Sequence, residues 1–160
     1  MSCVVGENDC AQVAYLDARE SRWVEEMGSN NIFFVFGHGE NAEVVTPKLS
    51  GHILPGVTRD SVLVLANDLG HRVTERKVSA QEWLEGAEDG RIAEVFGSGT
   101  TVGISPIGGV KYPGGSVRIG DGQPGPITMR LRKQLSDIQR GVSPDTHHWM
   151  HRLVRAQANT

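Results

Sequence analysis

Asn31-Ile32-Phe33-Phe34-Val35-Phe36 is a run of aromatic and β-branched side chains that Gly37-His38-Gly39 brings to a stop. That composition, closed by glycine punctuation, reads as a β-strand. On its N-terminal side, Gln12-Val13-Ala14-Tyr15-Leu16 reads as another strand, ended by a charged turn over residues 17–22. On its C-terminal side comes a loop carrying Pro47, Gly51 and Pro55-Gly56, then residues 57–69, where Thr58, Val62, Leu65, Ala66 and Leu69 recur at helical spacing until Gly70. Residues 73–78 alternate like a strand. Ser79-Ala80-Gln81-Glu82 is a capping-box pattern before Trp83-Leu84, which predicts a short helix to about Asp89-Gly90. Strands are predicted over 93–96 and 102–107 around a turn Gly97-Ser98-Gly99-Thr100, with a hairpin over 110–112 and 117–119. A last helix spans Pro126 to Gln139, its apolar stripe Ile127, Leu131, Leu135 and Ile138, with Gly141 just past its end. Strands outnumber helices without strict alternation, so the expected fold is α+β: a mixed, mostly antiparallel sheet or pseudo-barrel with helices packed outside.

Composition bounds what such a domain does. A chain of 160 residues suits one domain. With 38% hydrophobic and 22% charged residues it is neither disordered nor a membrane protein. Its longest apolar runs, 32–36 and 62–66, fall far short of the roughly 20 residues that span a bilayer. A net charge of −3 lacks the basic field that nucleic-acid binding requires. Cys3 and Cys10 make neither a disulfide framework nor a zinc site, and Met1-Ser2-Cys3-Val4-Val5-Gly6-Glu7 has no basic segment of a signal peptide. A reduced, cytoplasmic setting is the expectation. Twenty glycines and seven prolines, about 17% of the chain, exceed the usual share and point to short elements joined by working loops.

Most motif-like stretches have ordinary readings. Gly97-Ser98-Gly99-Thr100-Thr101-Val102 starts like a dinucleotide fingerprint, but Val102 ends it and a strand follows where a helix is needed. Gly103-Ile104-Ser105-Pro106-Ile107 lacks the last glycine of a nucleophile elbow. His147 and His151 have the spacing of two helical metal ligands but no third, and Arg130, Arg132, Lys133 and Arg140 read as a solvated helix face. Two glycine turns are informative as a pair. Pro55-Gly56-Val57-Thr58 opens a helix whose free N–H groups suit an anion, and Gly97-Ser98-Gly99-Thr100-Thr101 offers hydroxyls and amides. Together they suggest a phosphate site.

Longer stretches carry a resemblance. Glu26-Met27-Gly28-Ser29-Asn30-Asn31-Ile32-Phe33, Val44-Val45-Thr46 and Leu54-Pro55-Gly56-Val57-Thr58-Arg59 resemble, in order and spacing, the signature of the class IV aminotransferases. Tyr15-Leu16-Asp17-Ala18, Thr46-Pro47-Lys48-Leu49-Ser50-Gly51, Glu94-Val95-Phe96-Gly97-Ser98-Gly99-Thr100, Ile138-Gln139-Arg140-Gly141 and Asp145-Thr146-His147-His148-Trp149-Met150 are similar to the branched-chain amino-acid aminotransferases among them. The resemblance covers nearly the whole chain and implies the C-terminal domain of a fold-type IV enzyme, occupying 1–160. It implies pyridoxal 5′-phosphate as cofactor and transfer of an amino group between leucine, isoleucine or valine and 2-oxoglutarate. Glu26 would face the pyridine nitrogen, keeping it protonated. Val57, Thr58, Gly99 and Thr100 would hold the phosphate, while Thr100 and Thr101 would help hold the substrate carboxylate.

The same resemblance marks departures. The family's Schiff-base lysine lies upstream of the segment matching 10–17, and Lys48, Lys77, Lys111 and Lys133 stand at positions not used for it. The expectation is therefore a truncated or split form with no catalytic residue of its own, inactive alone and completed by a homodimer mate or partner chain. Asn30 stands where the family usually has Met, and Val102 and Ser105 stand where some relatives carry a cysteine pair. An exposed apolar edge at residues 32–36 is expected to drive association. Two other readings stay open: a non-catalytic remnant or partner subunit binding a phosphate-bearing ligand, and another class IV enzyme, such as a D-amino-acid aminotransferase or aminodeoxychorismate lyase.

Overall fold

The computed structural model describes residues 10–151 and residue 153. Cys3 and the first seven residues lie outside them. The elements, in chain order, are β1 (Ala14–Leu16), β2 (Val24–Met27), β3 (Asn30–Phe36), β4 (Glu43–Thr46), α1 (Val57–Asp68), β5 (Arg72–Glu75), α2 (Ala80–Glu88), β6 (Ile92–Gly99), β7 (Gly103–Ile107), β8 (Gly109–Tyr112), β9 (Gly115–Arg118) and α3 (Pro126–Gln139). The first seven strands form one mixed sheet, and β8–β9 is a separate hairpin. Among the described residues the sheet stays open rather than closing into a barrel. It is antiparallel except where β4 pairs with β5. That one parallel pair follows from the crossover through α1, because parallel neighbours cannot be joined by a tight turn.

The central strand is β3. Residues 30–31 pair with β2, 34–36 with β4, and 31–36 with β6 along the other edge. Ile32, Phe33, Phe34 and Val35 are all 0% exposed, because alternate side chains enter two cores. Phe33 and Val35 pack with Phe96, Ile104 and the apolar faces of α1 and α3. Ile32 and Phe34 pack with Val24, Val95, Trp83 of α2 and Ile119. Phe33 stacks on Phe96 at 4.9 Å between centroids, and Phe34 meets Trp83 edge-on at 5.4 Å. The expected exposed edge at 32–36 is thus overturned: the chain's most apolar strand is its most enclosed one, since neighbours flank it on both sides and helices cover both faces.

Helix readings hold closely. Thr58, Val62, Leu65 and Ala66 of α1 are buried, as is the α3 stripe Ile127, Leu131, Leu135 and Ile138. Ser79 caps α2 by accepting the Glu82 N–H at 3.0 Å. The other half of the capping box is not made, because the Glu82 carboxylate pairs with the Arg76 guanidinium at 2.7 and 3.0 Å. Two strands escape the sequence reading. β2 is Val-Glu-Glu-Met, with buried ends around a half-buried pair, and β4 has Val44 and Val45 both buried; neither alternates. The turn expected at Gly97-Ser98-Gly99-Thr100 lies further on. Residues 97–99 continue β6, Gly99 pairs with Gly103, and Thr100-Thr101-Val102 make the loop. Gly103, at φ +64°, supplies the left-handed residue that closes a three-residue hairpin. No described helix is long and apolar enough to cross a membrane.

Candidate active site

Paired residues across a sheet share a face, and one row is polar. Tyr15 of β1 is opposite Glu26 of β2, Glu26 opposite Asn31 of β3, and Asn31 opposite Ser98 of β6. Two residues along, the same face turns apolar at Phe33 and Phe96 and meets α1 and α3. The polar row therefore lies at the end of the core, toward the start of α1. Ser98 is 1% exposed, and its hydroxyl has no hydrogen-bond partner.

The loop before α1 is fastened to this row. The Leu54 N–H donates to Glu26 Oε1 at 2.7 Å, and Asn31 Nδ2 donates to the Leu54 carbonyl at 2.9 Å. Gly56 then caps α1 with extended backbone and no side-chain cap. The N–H groups of Val57 and Thr58 are left without intrahelical acceptors at the positive end of the helix. Next in α1, Arg59 is a guanidinium only 2% exposed. It donates to the Pro47 carbonyl at 3.3 Å, pairs closely with Glu75 of β5, and lies 3.4 Å from Asp60 Oδ1. It ties the end of β4, the start of α1 and β5 together.

A recess of about 480 Å³ opens at this helix start, lined by Val57, Thr58, Ser61, Thr100, Trp149 and Met150 among others. The two turns paired in the sequence reading thus meet in space. Gly99 and Thr101 flank Thr100 without lining the recess, and Glu26 reaches the same helix start through Leu54. The far wall is the C-terminal tail, held to α1 by one contact and folded on itself by two others. His147 Nε2 lies 2.6 Å from Asp68 Oδ2 and its ring stacks on Trp149, while the Met150 N–H donates to Asp145 at 2.7 Å. That amide above all lowers the Asp145 pKa below the usual carboxylate range. A larger groove of about 1300 Å³ lies between β1, α2 and the β8–β9 hairpin, lined by Met27, Trp83, Leu84, Ile107 and Val110 among others. Apolar side chains make up much of its lining, and Gln12, Ser105, Lys111, Tyr112 and Arg118 stand among them.

Residues 5–110 match the family described as amino-transferase class IV. The chain belongs to that family. It is 56% identical over 147 residues to a branched-chain-amino-acid aminotransferase of Mycolicibacterium smegmatis, covering 92% of this chain and 40% of that protein. Among solved structures, the Escherichia coli branched-chain amino acid aminotransferase superposes with a TM-score of 0.69 at 30% identity, covering 85% of this chain and 40% of that one. Another solved branched-chain amino acid aminotransferase, determined with pyridoxamine 5′-phosphate, gives 0.69 at 28% identity, covering 88% and 41%. The chain therefore spans about 40% of the length of the curated relatives it matches.

Asn30, the departure from the family pattern, is buried, its amide 3.4 Å from Gln12 Oε1. Its side chain lies against Gly97 and Gly99, whose missing Cβ atoms leave it room. Sequence reasoning missed Asn31 and Arg59 as organisers of the loop; both lie inside the signature, but their partners are 23 and 16 residues away. His147 and His151 hold no metal arrangement, and the described residues contain no cluster of three or more metal-ligating side chains. Of the four lysines, Lys48 and Lys77 are exposed, Lys111 lies in the hairpin and Lys133 pairs with Asp137; none lines the recess.

Proposed function

We propose that this chain is the C-terminal part, over residues 1–160, of a branched-chain amino-acid aminotransferase that uses pyridoxal 5′-phosphate. The observation that carries the reading is the recess where Val57 and Thr58, at the uncapped start of α1, meet Thr100. Free N–H groups at a positive helix end suit a phosphate dianion. Thr100 adds a hydroxyl, and Gly99, whose missing Cβ makes room for Asn30, would add its backbone N–H beside it. Glu26, one oxygen of which is held by Leu54, would keep its charge toward the pyridine nitrogen. When bound, the cofactor supplies an electron sink for the carbanion formed at the amino acid's α-carbon. Thr100 and Thr101 would orient the substrate carboxylate. The substrates are leucine, isoleucine or valine with 2-oxoglutarate, by the relatives' names and the family's reaction. On this reading the amine that carries the cofactor is none of the four lysines here, since none of them lines the recess.

Titration of the 160-residue chain with pyridoxal 5′-phosphate, followed by absorbance, tests the cup. A hydrogen bond to a charged group is worth about 1.5–3 kcal/mol, so Thr100→Ala weakens binding by about 10- to 150-fold. Equal affinity for wild type and variant overturns the phosphate site. Borohydride reduction of the mixture should trap no stoichiometric lysyl adduct, and leucine should not be turned over. A single-site adduct with turnover overturns the view that the amine lies elsewhere.

A further inference from the structure

We infer that Asn31 is a positioning residue that couples the Glu26 carboxylate to the phosphate-facing start of α1 through the backbone of one residue, Leu54. Glu26 and Asn31 are register partners on adjacent strands and share one face. Glu26 accepts the Leu54 N–H at 2.7 Å, and Asn31 donates to the Leu54 carbonyl at 2.9 Å. That carbonyl also accepts the Gly56 N–H at 2.9 Å, an i to i+2 turn around Pro55. Both lone pairs of the Leu54 carbonyl are thereby engaged, and Gly56, which closes the turn, is itself the N-cap of α1. An unbroken set of bonds runs from the carboxylate to the helix start, with Asn31 as the member rooted in the buried central strand.

Gly56 gives an independent sign of the same contact. Its φ of −67° and ψ of 135° suit any residue. Yet an added Cβ would stand 2.3 Å from Asn31 Oδ1, while its next neighbour, Arg59 Cβ, is at an ordinary 3.5 Å. Glycine is needed here because Asn31 occupies the space, not because the backbone is unusual. Leu54 itself is 66% exposed. A residue so exposed would normally exchange its amide freely, so protection at Leu54 reports the clamp alone.

The role in cofactor binding rests on the function proposed above; the mechanical tie does not, and the experiment separates them. Amide hydrogen exchange is read residue by residue in the 160-residue chain. In wild type the Leu54 amide is protected. In Asn31→Asp, which loses the N–H donor and sets a carboxylate against the Leu54 carbonyl, Leu54 and Gly56 exchange at least about tenfold faster, the effect of losing one hydrogen bond. Leu65 in α1 and Phe96 in β6 stay unchanged. Gly56→Ala, which displaces Asn31 from the other side, produces the same pattern and serves if the aspartate variant does not fold. Unchanged exchange at Leu54, or acceleration shared equally by Leu65 and Phe96, overturns the inference. Pyridoxal, which lacks the phosphate, and inorganic phosphate then probe the two ends separately. A residue that couples them weakens both when replaced, and weakening of one alone refutes the coupling. Wild type that binds neither probe refutes the cofactor reading, while the exchange data still judge the tie.

Discussion

Replacing Glu94 with glutamine should destabilise the chain by about 2–4 kcal/mol, although no charged partner is removed. Glu94 sits on β6, 6% exposed, beneath the start of α3. That helix begins Gly125-Pro126, and Gly125 offers no side-chain cap. The cap comes instead from across the core: Glu94 Oε1 accepts the Ile127 N–H at 3.0 Å and Oε2 the Thr128 N–H at 2.7 Å. In Glu94→Gln one acceptor becomes an NH₂ group, so one buried N–H faces a donor. Losing a hydrogen bond to a charged group costs about 1.5–3 kcal/mol. Removing negative charge from a partly buried helix N-terminus adds up to about 2 kcal/mol. Against a total stability of about 5–15 kcal/mol this is a large fraction. For a chain of this size it lowers the melting temperature by roughly 4–16 °C. Thermal unfolding followed by far-UV circular dichroism measures it, with Glu88→Gln on the exposed end of α2 as control. A Glu94→Gln melting temperature within about 2 °C of wild type would refute the claim that this carboxylate holds α3 in place.

Two further outcomes follow from local geometry. Asp17 accepts the N–H groups of Glu20, Arg22 and Trp23 at 2.7, 2.9 and 2.7 Å, and the Trp23 amide foremost lowers its pKa from 3.8 to about 2. A carboxylate depressed in the fold stabilises above its unfolded pKa and loses that effect as pH falls through the folded one. The turn before β2 should therefore hold down to about pH 4 and open between about 4 and 2, by Trp23 amide exchange, and Asp17→Asn should abolish that step. In Gly99→Ala the new Cβ would stand 2.2 Å from Asn30 Oδ1, so a cost of about 1–3 kcal/mol is expected. Asn30→Ala in the same chain should recover most of it; strict additivity in a urea-unfolding double-mutant cycle would show that the two sites do not touch.

The amino-acid sequence by itself determined the parts whose physics is local. The α1 and α3 stripes follow from 3.6-residue periodicity, the α2 cap from Ser79 three residues before Glu82, and the central strand from a β-branched and aromatic run closed by glycine. The signature segments sufficed to point to the class IV family and already contained Glu26 and Thr58, while Thr100 lay in a stretch similar to its branched-chain members. Tertiary structure alone decided what depends on contacts between distant segments. It enclosed residues 32–36 on both edges and both faces, where sequence reasoning expected an exposed edge, because pairing partners are not written in a strand's own composition. It made strands of Val24–Met27 and Glu43–Thr46, whose burial does not alternate and so leaves no two-residue period. It moved the hairpin turn to Thr100-Thr101-Val102, because residues 97–99 must stay extended to pair with β3 and β7. The same long-range contacts joined the α1 start to Thr100 in one recess, set Asn31 against Leu54 and Gly56, and brought Glu94 to α3. A hydrogen bond spanning 23 or 33 residues has no signature in either segment until the chain has folded around it.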